Sequence, residues 1–271
     1  MLTKSPHLFD EATRVSAGDS RWVGQTSPDY WAFVGPFGGT TAATILRALI
    51  DHPQRAGDPL ALTVNFCALI AEGAFELDVR LVKANRSTQH WCVEMTQGSD
   101  DVVTLATAVF AERRSSWSHQ QAQFPQAAPF EPIVPYSKVA MSWTKQYDFR
   151  FVEGEPKFDG TRAEPQDAFT KWWIGDKVPR KIDMLSLMSM SDAFFGRVFH
   201  VRQELVPFGT VSLTTYFHTS AEELAAEEIS RVLATADARI FHKSYGDQSG
   251  ELWSANGRLL ATTTQIAYFK A

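Results

Sequence analysis

Residues 113–138 read RRSSWSHQQAQFPQAAPFEPIVPYSK. Pro125, Pro129, Pro132 and Pro135 recur every three or four positions among Gln and Ser. Proline lacks the backbone donor that helices and sheet ladders need, so this density predicts an extended linker over 113–140. The linker cuts the chain nearly in half, leaving units at 1–112 and 141–271.

Outward from it, the two halves read alike. In the first, GPFGGTTAATILRALI (35–50) has helical period, opens on glycines and ends at the breaker DHPQRAGDP. The strand-like segments LALTVNFCALI, AFELDVRLVKA, TQHWCVEMTQG and DVVTLATAVFAERR follow. In the second, a helix over 182–199 precedes TVSLTTYFHTS, ISRVLATADARIFHKS, GELWSANG and RLLATTTQIAYFKA. LTVNF (62–66) answers LTTYF (213–217), and LATAVF (105–110) answers LATTTQ (260–265), which sets Phe110 where the second half has Gln265. Short matches arise by chance in any β-rich chain; the shared element order is what favours duplication. The expectation is an α+β fold of two curved antiparallel sheets, each wrapping one central helix.

Bulk properties remove several functions. With 26 Lys and Arg against 31 Asp and Glu, the chain has no basic field for nucleic acid or an anionic membrane. No apolar run approaches the roughly 20 residues that span a bilayer, and MLTKSPHLFDEATRV lacks the features of a signal peptide. Cys67 and Cys92 have no CxxC partner and read as small buried hydrophobes of a reducing compartment, which favours a cytoplasmic location. The seven histidines show neither HxxxH nor HExxH, so no metal is expected. There is no GxSxG, and GPFGG matches neither nucleotide-binding pattern, so no cofactor is expected either.

One residue resists the pattern. KIDMLSLMSMSDAFFGRVF (181–199) is apolar almost all round yet carries Asp192. On a continuous helix its neighbours would be Leu185, Met188, Ser189, Phe195, Gly196 and Phe199, a mostly apolar face, with Ser186, Ser189 and Arg197 forming the polar flank. Burying an unpaired carboxylate costs several kcal/mol or raises its pKa. Alternation on the last strand puts Ala261, Thr263, Gln265 and Ala267 on one face; on TVSLTTYFH it groups Thr210, Ser212 and Thr214. An Asp, a Thr and a Gln around one cavity could hold a water whose proton the Asp takes. The competing reading is a structural Asp capping local backbone, with ordinary strand residues nearby. The first-half helix, 38–50, has no Asp or Glu, so the polar group occurs once. Gly38 and Gly39 allow either close packing of a helix start or N–H groups aimed at an anion.

The set FGGT, LTVNFCALIAEG, RSTQHW, SDAFF, TVSLTTYFH and GRLLATTTQ, in this order, resembles the acyl-CoA thioesterase II family, the double-hotdog thioesterases. The resemblance runs from about residue 20 to the end. It implies two tandem hotdog repeats and hydrolysis of an acyl-CoA substrate, with Asp192, Thr210 and Gln265 binding the nucleophilic water. It implies Asp192 as the base and an oxyanion held by backbone N–H at a helix start, for which Gly39 is the candidate. Met188, Phe194 and Phe195 are candidates for an acyl channel, and self-association into a dimer or larger homo-oligomer is implied. Where better-known members carry Asp-His after the Thr, this chain has Ser212 and Leu213. Two alternatives stay open: a hydratase or dehydratase, which wants a His close to the Asp and has only His200 nearby, and a non-catalytic acyl-CoA-binding or scaffolding protein.

Overall fold

The structure, a computed structural model, describes residues 6–138, 141–157 and 167–270. Helix α1 (Leu8–Ala12) and strands β1 (Val15–Ala17) and β2 (Trp22–Gln25) lead into α2 (Gly38–Asp51). Strands β3 (Asp58–Phe66), β4 (Ala74–Ala84), β5 (Thr88–Thr96) and β6 (Val102–Ala111) complete the first half. The second begins with β7 (Tyr147–Glu153) and β8 (Thr170–Asp176), then α3 (Met184–Met190) and α4 (Arg197–Arg202). It continues through β9 (Phe208–Phe217), α5 (Ala221–Ala226), β10 (Arg231–Asp237), β11 (Phe241–His242), β12 (Tyr245–Trp253) and β13 (Leu259–Phe269).

The strands form one antiparallel sheet in the order β1-β2-β4-β5-β6-β3-β9-β13-β12-β10-β8-β7, with β11 beside β12. The halves meet at β3 and β9, where Thr63 faces Thr214, Leu62 faces Thr215 and Val64 faces Leu213. That register is symmetric about the Thr63–Thr214 pair, whose hydroxyls are 2.9 Å apart. Each half curls around its own helix, as the double-hotdog expectation requires. Ala42, Ile45, Leu46 and Leu49 follow the i, i+3, i+4, i+7 rule and are wholly buried on α2, and α2 packs against α3.

The pairing corrects the register read from the strings. Thr63 faces Thr107 on β6, and Thr214 faces Thr264 on β13. The counterpart of Gln265, which faces Leu213, is therefore Ala108, which faces Leu62; Phe110, facing Pro59, matches Ala267, facing Thr210. The string match was two residues out of step, a slip that keeps side chains on the same face and so escapes the hydrophobic pattern.

Other expectations change too. The helix foreseen over 182–199 is two short helices. A capping box between Asp183 and Ser186 opens α3. Its end is satisfied locally: the Ser191 hydroxyl donates to the Met188 carbonyl at 2.7 Å, and the Asp192 and Ala193 N–H groups bond back three residues, to Ser189 and Met190. Strands β7 and β8 were not foreseen. Cys67 is exposed and Cys92 half-buried, so neither is a core residue, and both are free.

The proline-rich segment carries no helix or strand through residue 138; its last two expected residues, 139 and 140, lie outside the described set. It is more than a spacer. Ala122, Phe124, Ala127, Phe130 and Ile133 pack on Trp173, Leu233 and Trp253, on the outer face of the second half. The Trp173 indole donates to the Ala128 carbonyl at 2.9 Å, and the guanidinium groups of Arg150 and Arg231 lie 3.8 and 3.7 Å from the Phe130 ring centre.

Candidate active site

Asp192 sits in the turn that follows α3, 7% exposed. Three elements close on it. The N-terminus of α2 brings Gly38 and Gly39, β13 brings Gln265, and β9 brings Thr210. A cavity of about 190 Å³ opens against this group, with Asp192, Thr210, Gln265, Gln248 and Gly38 supplying its polar wall. The rest is largely apolar, including Phe37, Phe66, Trp143 and Phe208. Phe37 and Trp143 stack at 4.2 Å between ring centres.

Gln265 Nε2 donates to Asp192 Oδ1 at 2.8 Å. Thr210 Oγ1 donates to Gln265 Oε1 at 3.4 Å, and Gln248 Nε2 donates to the same oxygen at 2.8 Å. The Gly39 N–H also bonds the Asp192 carboxylate. Removal from water pushes the Asp192 carboxyl up to about 7, while the bonds from Gln265 and Gly39 pull the other way. The described residues give it no ion-pair partner. Tyr147, the ionisable group facing it from β7, is held neutral well above its ordinary range by burial, its hydroxyl 2.7 Å from that of Ser189.

The structure thus brings Asp192, Thr210 and Gln265 together and singles out Thr210 from its neighbours. A bulge opposite Ile266–Ala267 breaks the alternation of β9, so Thr210 pairs with buried Ala267 while Ser212 pairs with exposed Ile266. Paired residues share a face, so Thr210 joins Leu213, Thr215 and Phe217 inside, whereas Ser212 and Thr214 face away. The alternation that grouped all three hydroxyls does not hold across the bulge.

Gly39, foreseen as the oxyanion donor, has its N–H directed toward the Asp192 carboxylate, and of the two helix-opening glycines only Gly38 lines the cavity. Both must be small. A Cβ on Gly38 would stand 2.7 Å from Asp192 Oδ2, and one on Gly39 would press into the Ser189 carbonyl and the Phe37 ring. Close packing and service to an anion are therefore one arrangement, with Asp192 as the anion. Phe194 and Phe195 line the cavity; Met188 is core. His200 does not line it. Its Nε2 is 3.0 Å from Arg197 Nη2, and burial beside that guanidinium holds the imidazole well below its ordinary pKa.

Gln248 was missed. The string GELWSANG starts the strand at residue 250, but β12 begins at Tyr245, and Gln248 stands directly opposite Gln265. Extending the alternation of β12 by five residues toward its start would have put it on the inward face.

Comparison with known proteins gives concordant results. The family model for the acyl-CoA thioesterase N-terminal domain matches residues 27–111, and that for the C-terminal domain matches residues 115–269. Among solved structures, a conserved protein of unknown function with a hot dog fold from Alicyclobacillus acidocaldarius is 42% identical, with TM-score 0.92 over 98% of this chain and 99% of that one. A putative thioesterase II from Thermobifida fusca YX shares the fold at 16% identity and TM-score 0.83, covering 97% and 98% of the two chains. The acyl-CoA thioesterase II TesB2 of Mycobacterium marinum does so at 16% identity and TM-score 0.76, again over 97% and 98%. No curated protein matches.

Proposed function

The chain belongs to the acyl-CoA thioesterase family, and from that premise we propose that it hydrolyses an acyl-CoA thioester to the free acid and CoA by direct attack of water. The observation that carries the reading is Asp192, a buried carboxyl at the polar end of an apolar cavity, raised to about 7 and hydrogen-bonded by Gln265. A base of that pKa is half-ionised near neutrality, where proton abstraction from water is most effective.

In the proposed mechanism water donates one hydrogen bond to Asp192 and the other to the Thr210 oxygen. Gln265 holds the carboxylate in orientation. As water attacks the thioester carbonyl, its proton passes to Asp192, and the tetrahedral intermediate carries its charge on oxygen. Gly38 N–H, at the positive end of α2 and on the cavity wall, is the donor proposed for that oxyanion, in place of Gly39. Collapse expels the CoA thiolate. The aromatic cavity receives the acyl group, and its modest volume favours short, medium or aryl groups over long chains.

Two further parts belong to this proposal. Self-association is supported by exposed Val211, Tyr216, Ile266 and Tyr268 on the outward face of β9 and β13, and sedimentation of the purified chain tests it. A cytoplasmic location is supported by two free thiols, and no described helix is long and apolar enough to cross a membrane.

The test is free-thiol release across short, medium, long and aryl acyl-CoAs, for wild type and Asp192→Asn. Release by wild type that collapses in the variant is expected. Binding without release, or release that survives in a folded variant, overturns the reading.

A further inference from the structure

Amide side chains can flip, so the direction of a bond between two glutamines is usually ambiguous. Here a backbone group resolves it. The Arg197 N–H can only donate, and it lies 2.6 Å from Gln248 Oε1. Gln248 Nε2 must therefore point the other way, where it donates to Gln265 Oε1 at 2.8 Å. Gln265 Nε2 is in turn directed at Asp192 Oδ1, also at 2.8 Å. The anchor is rigid. The Arg197 side chain is fully buried and bonds the carbonyls of Phe195 and Ala168 at 2.6 and 3.1 Å.

We propose that Gln248 is a positioning residue which fixes the polarity of this chain, so that Asp192 always meets a donor and is kept as a base. The inference rests on the hydrolase reading above and names a residue that reading does not use. With Gln248 in place, turning the Gln265 amide over would oppose two donors at one end and an oxygen to the carboxylate at the other. Without it, Gln265 can offer Oε1 to Asp192, a contact that only the protonated carboxyl satisfies. The chain has a second effect. With Oδ1 engaged by Gln265, the transferred proton goes to Oδ2, the oxygen beside Gly38 at the cavity wall.

Among the described residues, the groups packed around Asp192 add no competing charge. Gly38 and Gly39 come from α2, Gln265 from β13, Gln248 from β12, Thr210 from β9, and from β7 the neutral Tyr147. The chain's polarity thus acts beside the Gly39 N–H in holding the base ionised.

The experiment compares wild type with Gln248→Met, which keeps length and volume but loses both bonds, and Gln248→Glu, which can accept from Arg197 but in ionised form cannot donate to Gln265. The pH dependence of thiol release and a 13C NMR titration of the Asp192 carboxyl in the free protein are both measured. Both variants should lower kcat by roughly tenfold, the scale of one lost hydrogen bond, with KM within about twofold. Both should move the acid limb of the rate profile and the NMR midpoint upward together. In a Gln265→Leu background, Gln248→Met should shift neither. An unmoved midpoint in both variants overturns the proposal, as does an equal loss of kcat with and without Gln265. If wild type releases no thiol from any acyl-CoA, the hydrolase reading fails instead, and the NMR midpoint still judges the chain's polarity.

Discussion

Pro59 and Thr210 occupy the same place in the two halves, and so do Ala108 and Gln265. Even the bulge recurs, beside Pro59 in one half and beside Thr210 in the other. The first half spends these positions on packing, and its helix α2 runs 14 residues without interruption. The second half fills them with groups that hydrogen-bond, and its helix stops after 7 residues, just before Asp192. A symmetric scaffold therefore holds an asymmetric site. The first half still contributes to it, through the glycine-opened N-terminus of α2. Its small residues let two backbones and one carboxylate approach where any side chain would intrude.

Replacing Asp192 tests that asymmetry most severely. Asp192→Asn makes the second half as free of a base as the first, and kcat should fall by about 10²–10⁴. The wild-type kcat/KM should rise with pH through an inflection near about 7, because the carboxylate form is the active one. Steady-state thiol release from pH 5 to 9 checks both.

Stability should move in the opposite direction. The Asp192 carboxyl is raised from 3.8 to about 7 by burial, so between these values the folded chain keeps a proton that the unfolded chain has lost. Its contribution is fully present at low pH and is lost as pH rises toward 7, by at most about 4 kcal/mol. Asp176, raised to about 6 by burial, adds slope of the same sign. Urea unfolding as a function of pH should show Asp192→Asn losing the larger share of this slope and retaining that of Asp176. An identical slope in the variant would mean that Asp192 is ionised throughout.

The halves also differ on their outer faces. On β4 and β5 that face is polar and open, with Arg80 paired to Asp78 and Glu94. On the second half it is apolar and covered by residues 122–133. Phe130→Ala, which removes the ring between Arg150 and Arg231, should cost about 1–3 kcal/mol in denaturant unfolding. Its KM should stay unchanged, because Phe130 does not line the cavity. An Arg80→Ala change on the open face should cost well under 1 kcal/mol.

What could be read from the chain follows from how each feature is encoded. The duplication was visible because strand composition and element order are periodic over many residues. The proline-rich segment was visible as irregular, but its packing partners were not, since Trp173 and Trp253 are distant in sequence. The Asp192 anomaly was legible as a burial conflict. The helix break was not, because MLSLMSMSDAFFGRVF has no proline and its one glycine comes four residues late. Satisfying the carbonyls with Ser191 leaves no periodic trace. Strand β7, YDFRFVE, does alternate from Tyr147 to Phe151 and was legible but passed over, whereas β8, TKWWIGD, is buried nearly throughout and lacks alternation. Gln248 lay just outside an underestimated strand.

The smallest expected effects discriminate most finely, because they turn on one bulge. Thr210→Ala should cut kcat by about tenfold, removing the hydroxyl that bonds Gln265 and faces the cavity. Ser212→Ala, two residues away, should leave kcat within about twofold. Its side chain shares the outward face with Ile266. Thr214→Val should also leave kcat within that range while costing about 1 kcal/mol, from the lost bond to Thr63 at the symmetry point of the sheet. If strict alternation ran through β9 without a bulge, Thr210, Ser212 and Thr214 would share one face, and Ser212→Ala would impair catalysis as Thr210→Ala does. A thiol-release assay on the three variants therefore measures whether the inserted residue, Val211, is what turns Thr210 into the cavity while the same insertion in the first half turns only a proline.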